Sequence, residues 1–110
     1  MKLPNCDKAV VDDAKLISYC LDREHKVGKH KARVFQSALK INSDNFYILK
    51  DAILEAVLIE NAVFTNRIAY GDLYNMDFNL TYLNRTATIR TAWIVRNEED
   101  FPRLTTCFII

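Results

Sequence analysis

The chain is predicted to fold as an α+β domain in which about three N-terminal helices pack on one face of a four-stranded, mainly antiparallel sheet. Hydrophobic residues recur at helical spacing up to about residue 60, whereas from Ala62 onward they alternate with polar residues, as in strands. The chain has 110 residues, half of them hydrophobic, which is enough for one compact core. No linker-like segment divides it, so we expect one domain over residues 1–110.

Each of the three expected helices has an apolar face. Asp12 or Asp13 can cap the first helix, which should end near Asp22, and Ser43 can cap the third. The second helix should cover residues 29–40. The apolar residues at helical spacing are Leu16, Ile17, Cys20 and Leu21 in the first helix, Val34, Phe35, Ala38 and Leu39 in the second, and Phe46, Leu49, Ile53, Ala56 and Val57 in the third.

Four segments of period two predict strands at 63–70, 73–82, 86–96 and 103–110. Leu83-Asn84-Arg85 should form a hairpin turn between the second and third strands, because Asn tolerates a left-handed backbone. Burial between helices and sheet is expected for Phe35, Leu39, Leu49, Ile53, Phe78, Leu80, Ile89 and Trp93.

Net charge and cysteine usage limit the class of protein. The formal charge is +1, so the chain as a whole does not require a polyanionic partner, and any nucleic-acid contact would be local. Cys6, Cys20 and Cys107 form no C-x-x-C pair, and their odd number favours reduced thiols in a cytoplasmic protein. Because charged residues rather than an apolar stretch follow the N-terminus, we expect no secretory signal, and the most apolar segment, 52–59, is too short to cross a membrane.

Residues 23–33 contain the clearest candidates for a functional site. This segment holds both histidines, His25 and His30, and five of the fifteen Lys and Arg residues. Imidazole exchanges protons near neutral pH, and clustered cations favour an anion such as phosphate. The alternative interpretation is a solvated helix face, which commonly carries such charges.

Several blocks of the sequence resemble a small family of bacterial domains without an assigned activity, which occur alone and in toxin-like contexts. The most specific blocks are the His-x-x-Gly-x-x-Lys pattern at 25–31 and the Arg-Thr-x-Trp pattern at 90–93. Weaker similarity, including the Leu-Pro-Asn start at 3–5, extends over almost the whole chain. The chain departs from the family pattern at three turn positions, Lys26, Lys40 and Asn84.

In element order and polar placement, this family in turn resembles the superfamily of barnase, EndoU, colicin-nuclease and RelE-like ribonucleases. The resemblance implies a metal-independent, ribonuclease-like toxin domain, in which the ribose 2′-hydroxyl attacks the adjacent phosphorus. That reaction needs a proton acceptor, a proton donor and cations that stabilise the phosphorane. RNA would be the substrate, and a protein antitoxin or target would be a further partner.

Four residues are candidates for catalysis on this interpretation. His25 would act as general base or general acid. Lys31 and Arg90 would bind phosphate, and Thr106 would orient a phosphoryl oxygen. The candidate substrate-binding residues are Lys29, Arg33, Arg85 and Thr88.

Each catalytic candidate also has a structural interpretation. His25 can bond to the backbone near a helix start, and Lys31 can pack its stem along the helix with its ammonium in water. Arg90 can form a salt bridge with Asp77 or Asp100. The strand threonines are common in sheets whatever their function.

A function of another class is a non-catalytic interaction protein, an inhibitor or accessory factor that binds a protein or nucleic acid. Exposed Tyr47, Tyr74 or Tyr82 would anchor such a contact. No metal or cofactor is expected, because the two histidines lack nearby acids or thiols and the chain has no Gly-rich phosphate loop. Convergence of the four catalytic candidates in one cleft would favour catalysis, and scatter would favour binding.

Overall fold

The computed structural model describes residues 1–110 and begins with the helical half of the chain. Helix α1 (Asp13–Lys15) continues directly into a π-helical turn (Leu16–Cys20). Helix α2 comprises Lys29–Leu39, and helix α3 comprises Phe46–Ala56. A 3-10 turn at Ser43–Asn45 leads into α3, and a further 3-10 turn occupies Cys6–Lys8.

The second half of the chain forms an open antiparallel sheet. Its strands are β1 (Ala62–Ile68), β2 (Gly71–Tyr82), β3 (Arg85–Arg96) and β4 (Pro102–Ile109). They lie in the order β1-β2-β3-β4, and each neighbouring pair is antiparallel. The helices contact this sheet, which confirms the predicted fold class of three helices with a four-stranded antiparallel sheet.

One continuous hydrophobic core joins the helices to the sheet. All eight residues predicted to be in the core are buried: Phe35, Leu39, Leu49, Ile53, Phe78, Leu80, Ile89 and Trp93. The Trp93 indole N–H donates to Thr91 Oγ1 at 2.7 Å, and that hydroxyl donates to the Met76 carbonyl at 2.7 Å. The buried polar atoms of the β3 centre are therefore satisfied.

The β2–β3 hairpin turns as predicted, but it needs two left-handed residues. Leu83 and Asn84 have φ values of 52° and 62°. Two successive residues with positive φ are the geometry of a type I′ turn, which suits the twist of a two-residue hairpin. Asn84 follows the expected preference, whereas Leu83 holds a conformation that its side chain disfavours.

Four local predictions were wrong. Ser43 was expected to cap the third helix, but the capping side chain is that of Asn42, whose Oδ1 accepts from the Asp44 N–H at 2.9 Å.

The other three concern exposure. Ile17 is 38% exposed and Val34 is 44% exposed, although both were assigned to apolar helix faces. The exposure of Ile17 follows from the π-helical turn, in which the Leu21 N–H donates to Leu16 O and the wider spacing turns Ile17 outward. Tyr74 was expected to be exposed, but it is buried on the core face of β2 against Phe64.

The two edges of the sheet differ in how far other segments of the chain cover them. Every residue of β1 after Ala62 is exposed. The first part of β4 is covered by the N-terminal segment, since Val10 N–H donates to Pro102 O and Leu104 N–H donates to Val10 O. Beyond that bridge, the π-helical turn and α2 lie along β4. None of the helices combines the length and the apolar composition that a membrane-spanning helix requires.

Candidate nucleic-acid interface

His25 closes the loop that precedes α2. Its Nδ1 accepts hydrogen bonds from the backbone N–H groups of Val27 and Gly28, both at 3.0 Å. Because Nδ1 is an acceptor, the neutral ring carries its proton on Nε2. A second proton on Nδ1 would face those two N–H groups, so proton transfer by His25 would require the turn to open.

Gly28 brings this loop against the π-helical turn. A side chain at Gly28 would place its Cβ 2.4 Å from the Tyr19 carbonyl oxygen and 3.1 Å from the Tyr19 ring. The close approach sets Tyr19 beside His25, with the ring centroids 4.9 Å apart in an edge-on arrangement. The Gly in the His-x-x-Gly-x-x-Lys pattern therefore serves packing.

Lys31, on the first turn of α2, lies between two aromatic rings. Its Nζ is 4.8 Å from the Phe108 centroid on β4 and 6.0 Å from the Tyr19 centroid. Both distances lie within the range of cation–π attraction. We call Tyr19, His25, Lys31, Thr106 and Phe108 the Lys31 cluster; all five side chains are partly exposed.

Thr106 joins the cluster through Cys20. Its Oγ1 lies 3.9 Å from the Cys20 Sγ, the separation of a weak sulfur hydrogen bond. Thr105 and Thr106 lie where the β3–β4 register shifts, between Ala92 and Trp93. Such a bulge bends the strand and redirects its side chains.

The two thiols next to Thr106 have opposite pKa shifts. Hydrogen bonds from the Cys107 thiol and backbone N–H, aided by Thr106 and the charge of Lys31, lower the pKa of Cys20 to about 7 despite its burial. The pKa of Cys107 is raised well above its ordinary value, because it donates to Cys20 and is itself buried. Cys20 is therefore the more acidic thiol of the pair.

The cations around the cluster have no acidic partners. The four ion pairs of the structure use Lys50, Arg67, Arg90 and Arg103. None of the five Lys and Arg residues in segment 23–33 takes part in one, and the first turn of α2 contains no acidic residue. The predicted substrate-binding residues Lys29 and Arg33 therefore form no ion pair, although Arg33 lines a cavity together with Asp22, Glu24 and Asp44.

Arg90 stands apart from the other three catalytic candidates. Its Nε and Nη2 donate to the two carboxylate oxygens of Asp77, each at 2.9 Å, so the salt bridge is bidentate. This pairing lowers the pKa of Asp77 and raises that of Arg90. Arg90 is nevertheless the cross-strand neighbour of Phe108, which places it beside the cluster.

The remaining substrate-binding candidates also have partners within the protein. Thr88 Oγ1 donates to Asn79 Oδ1 at 2.7 Å on the sheet face away from the helices. Arg85 Nη1 donates to the Ser37 carbonyl at 3.1 Å, near the end of α2. Neither lies in the Lys31 cluster.

The surface around the cluster is not a cleft. The largest open cavity, about 610 Å³, is lined by Asp22, Arg23, Glu24, Arg33 and Asp44, among others. None of the four cavities is lined by His25, Lys31 or Thr106. No group of three or more His, Cys, Asp or Glu side chains is arranged to hold a metal ion.

The sequence did not reveal Tyr19 and Phe108 as members of the site. Both are half-buried aromatics in segments that read as ordinary helix and strand. The only signal available was their type, since aromatic rings near clustered cations are typical of surfaces that bind single-stranded nucleic acid.

His25→Ala should destabilise the protein by about 1 kcal/mol, because two backbone N–H groups lose their acceptor. His25→Asn should recover most of that loss, since its side-chain oxygen can occupy the place of Nδ1. Urea unfolding of the three proteins measures the difference. Equal midpoints for wild type and His25→Ala would show that the turn does not depend on these bonds.

Fold and surface together define an α+β domain with a cationic, aromatic surface at one sheet edge. The chain belongs to the family described as a domain of unknown function, DUF6883, whose model matches residues 2–110. No curated protein and no solved structure matches the chain.

Proposed function

We propose that this domain binds single-stranded RNA on the Lys31 cluster. One observation supports this function above the others: a lysine with no acidic partner lies against two partly exposed aromatic rings. Proteins that bind single strands combine these two features, cations for the phosphates and rings on which bases stack. The resemblance to ribonucleases noted in the sequence favours RNA as the nucleic acid.

The geometry suits an unpaired strand better than a duplex. Tyr19 and Phe108 are only partly exposed, so a base must be turned out of its stack to lie on either ring. Lys31 would then move from the ring faces to a phosphate, and the free cations of segment 23–33 would extend the path. Arg90, beside Phe108, would meet the strand on the sheet side.

Fluorescence anisotropy with a labelled single-stranded RNA, in the presence of chelator, tests this function. We expect binding to weaken steeply with salt, because five phosphate contacts on a single strand give a slope near −3.5. Between about 50 and 200 mM salt the affinity should fall by about 10²-fold. The same sequence as a duplex should bind more weakly, and equal binding of strand and duplex would contradict use of the rings.

RNA cleavage without metal is the second candidate function. The observation in its favour is that His25, Lys31 and Thr106 meet around Tyr19 and Cys20. Two features keep it second: His25 uses Nδ1 to hold its own turn, and Arg90 is paired with Asp77. Both groups would have to leave these partners before they could transfer a proton or stabilise a phosphorane.

A gel of the same RNA, after prolonged incubation in chelator near neutral pH, separates the two functions. Cleavage that disappears in His25→Ala and Arg90→Ala would favour the catalytic function. Intact RNA together with tight binding would favour the non-catalytic binding function. If the protein neither binds nor cleaves the RNA, binding to a protein partner would be favoured instead.

A further inference from the structure

The second half of β2 has a neighbouring strand on one side only. β1 pairs with β2 as far as Met76, which lies opposite Ala62, whereas β2 continues to Tyr82. We call residues 77–82 the open β2 edge. No backbone hydrogen bond from a loop or turn reaches these residues, and no side chain bonds to their backbone. Their only backbone partners are therefore on β3.

The ladder with β3 shows which backbone groups of this edge are free. In a hairpin closed by a two-residue turn, the residue before the turn, here Tyr82, exchanges backbone hydrogen bonds with its partner. Such pairs alternate along an antiparallel ladder, so Leu80 and Phe78 also bond to β3. Asn79 and Thr81 direct their N–H and C=O groups to the open side. They offer two donors and two acceptors to a further strand.

An acidic groove lies beside the open β2 edge. This cavity of about 260 Å³ is lined by the edge, by the C-terminal part of α3 and by the residues that follow α3. Its apolar lining includes Ala52, Ile59 and Phe78, and its charged residues are Glu55 and Glu60. Neither glutamate belongs to one of the four ion pairs, and no Lys or Arg lines the groove. The groove thus combines apolar surface with negative charge that has no partner.

We propose that the open β2 edge binds an extended segment of a partner protein, which adds to the sheet as a strand. Addition of a strand takes its affinity from backbone hydrogen bonds and its specificity from alternate side chains. The side chains that face the groove are an apolar residue flanked by lysine or arginine, which complement Glu55 and Glu60. The inference does not depend on RNA binding, because the Lys31 cluster lies at β4, the other edge of the sheet.

Charge and secondary structure favour such a partner over a second copy of the chain. Pairing of two open β2 edges about a two-fold axis would bring Glu55 and Glu60 of both copies to one interface, where like charges repel. The basic segment of a second copy forms the start of α2, and a helix cannot pair with an edge strand. A nucleic acid is disfavoured too, because its phosphates would meet the same carboxylates.

The outer edge of β1 is a poorer place for an added strand. The Ala62 N–H at its start already donates to the Met1 carbonyl at 2.6 Å. Further along, the β1–β2 register shifts between Phe64 and Asn66. Such bulges twist an edge and discourage pairing. The β2–β3 register, in contrast, is continuous up to Tyr82, so the open β2 edge is regular.

NMR titration of the isotope-labelled protein with the capped peptide Thr-Lys-Thr-Val-Thr-Lys-Thr tests the inference. When this peptide is extended, Val and both Lys side chains lie on one face. We expect the largest amide shifts in residues 77–82 and 52–60, and none in the Lys31 cluster. The peptide Thr-Glu-Thr-Val-Thr-Glu-Thr should bind at least about tenfold more weakly, because its carboxylates meet Glu55 and Glu60.

Two double variants test the role of charge. Glu55→Gln with Glu60→Gln should weaken binding of the lysine peptide by roughly 3- to 30-fold, the range for loss of two exposed ion pairs. Glu98→Gln with Asp100→Asn removes the same charge from the β3–β4 turn. This control should change the affinity by less than about twofold, because distant charges are screened.

Methylation of single peptide nitrogens tests strand pairing. Methyl groups on the central Val nitrogen and on the nitrogen of the preceding Thr block opposite edges of the peptide. Only one edge faces β2, so one methylated peptide should bind roughly fivefold or more weakly, and the other should bind like the parent. Absence of binding, equal effects of the two methyl groups, or shifts outside the groove and its edge would overturn the inference. A dimer paired through residues 77–82 would overturn it as well.

Discussion

Replacing Trp93 by Ala is expected to lower the free energy of unfolding by about 3–5 kcal/mol, the range for a large aromatic in a core. Trp93 is fully buried at the centre of β3, where it packs between the sheet and the helices. Its loss would leave a cavity that the neighbouring elements cannot fill completely. It would also remove the N–H that bonds to Thr91 Oγ1.

Chemical denaturation of three variants separates these contributions. Trp93→Phe keeps most of the ring volume but not the N–H donor, so its loss should be well below that of Trp93→Ala. Tyr70→Ala removes an aromatic that is 74% exposed, and the change should stay within about 0.5 kcal/mol. An unchanged unfolding midpoint for Trp93→Ala would contradict the placement of this residue.

Removal of the free cations on α2 should have the largest effect on RNA binding. The triple variant Lys29→Ala, Lys31→Ala and Arg33→Ala would delete three of the proposed phosphate contacts. On a single strand, each contact contributes about 0.7 to the salt slope, so the slope should fall by about 2 and the affinity at about 50 mM salt by roughly 10²-fold or more. Anisotropy titrations at several salt concentrations measure both quantities.

A control variant with the same loss of charge tests whether RNA binding depends on the α2 surface or on the overall electrostatic field of the protein. The variant Lys2→Ala, Arg67→Ala and Arg96→Ala removes three cations outside α2, one in the N-terminal segment, one on β1 and one at the end of β3. It should bind RNA within a few-fold of wild type, because screening limits the effect of distant charges. Equal losses in the two triple variants would indicate binding governed by net charge alone.

The arrangement of elements could be predicted because each half of the chain has a clear hydrophobic period. Leu49 and Ile53 lie on the buried side of α3, and Phe78 and Leu80 alternate with polar residues along β2. Alternation assigned each strand residue to a face. It could not indicate the π-helical turn, because insertion of one residue into a helix changes the hydrogen bonding without a distinctive residue type.

The site was predictable only in part. Residue types drew attention to His25 and Lys31, and these two do lie together. Their partners depend on long-range packing: Tyr19 reaches them because Gly28 allows the close approach, and Phe108 reaches them from the last strand. Neither of these two approaches can be predicted from the sequence around His25 and Lys31.

For Arg90, the sequence predicted the face of the strand but not whether the side chain is paired. The alternation of polar and apolar residues placed Arg90 on the polar face of β3, where it does lie. A salt bridge to Asp77 was one of the structural interpretations considered for it. The choice between a free and a paired arginine depends on the β2–β3 register, which sets Asp77 directly opposite. A one-residue change of register would have left the guanidinium unpaired.

Mapping of RNA on the folded protein by NMR is the most direct test of the RNA-binding surface. Backbone amide shifts of the isotope-labelled protein would be followed during titration with a short single-stranded RNA in chelator. We expect the largest changes at Tyr19, in residues 25–31 and at Phe108, with little change along β1. Absence of any shift at saturating RNA, or changes confined to β1, would contradict the proposed surface.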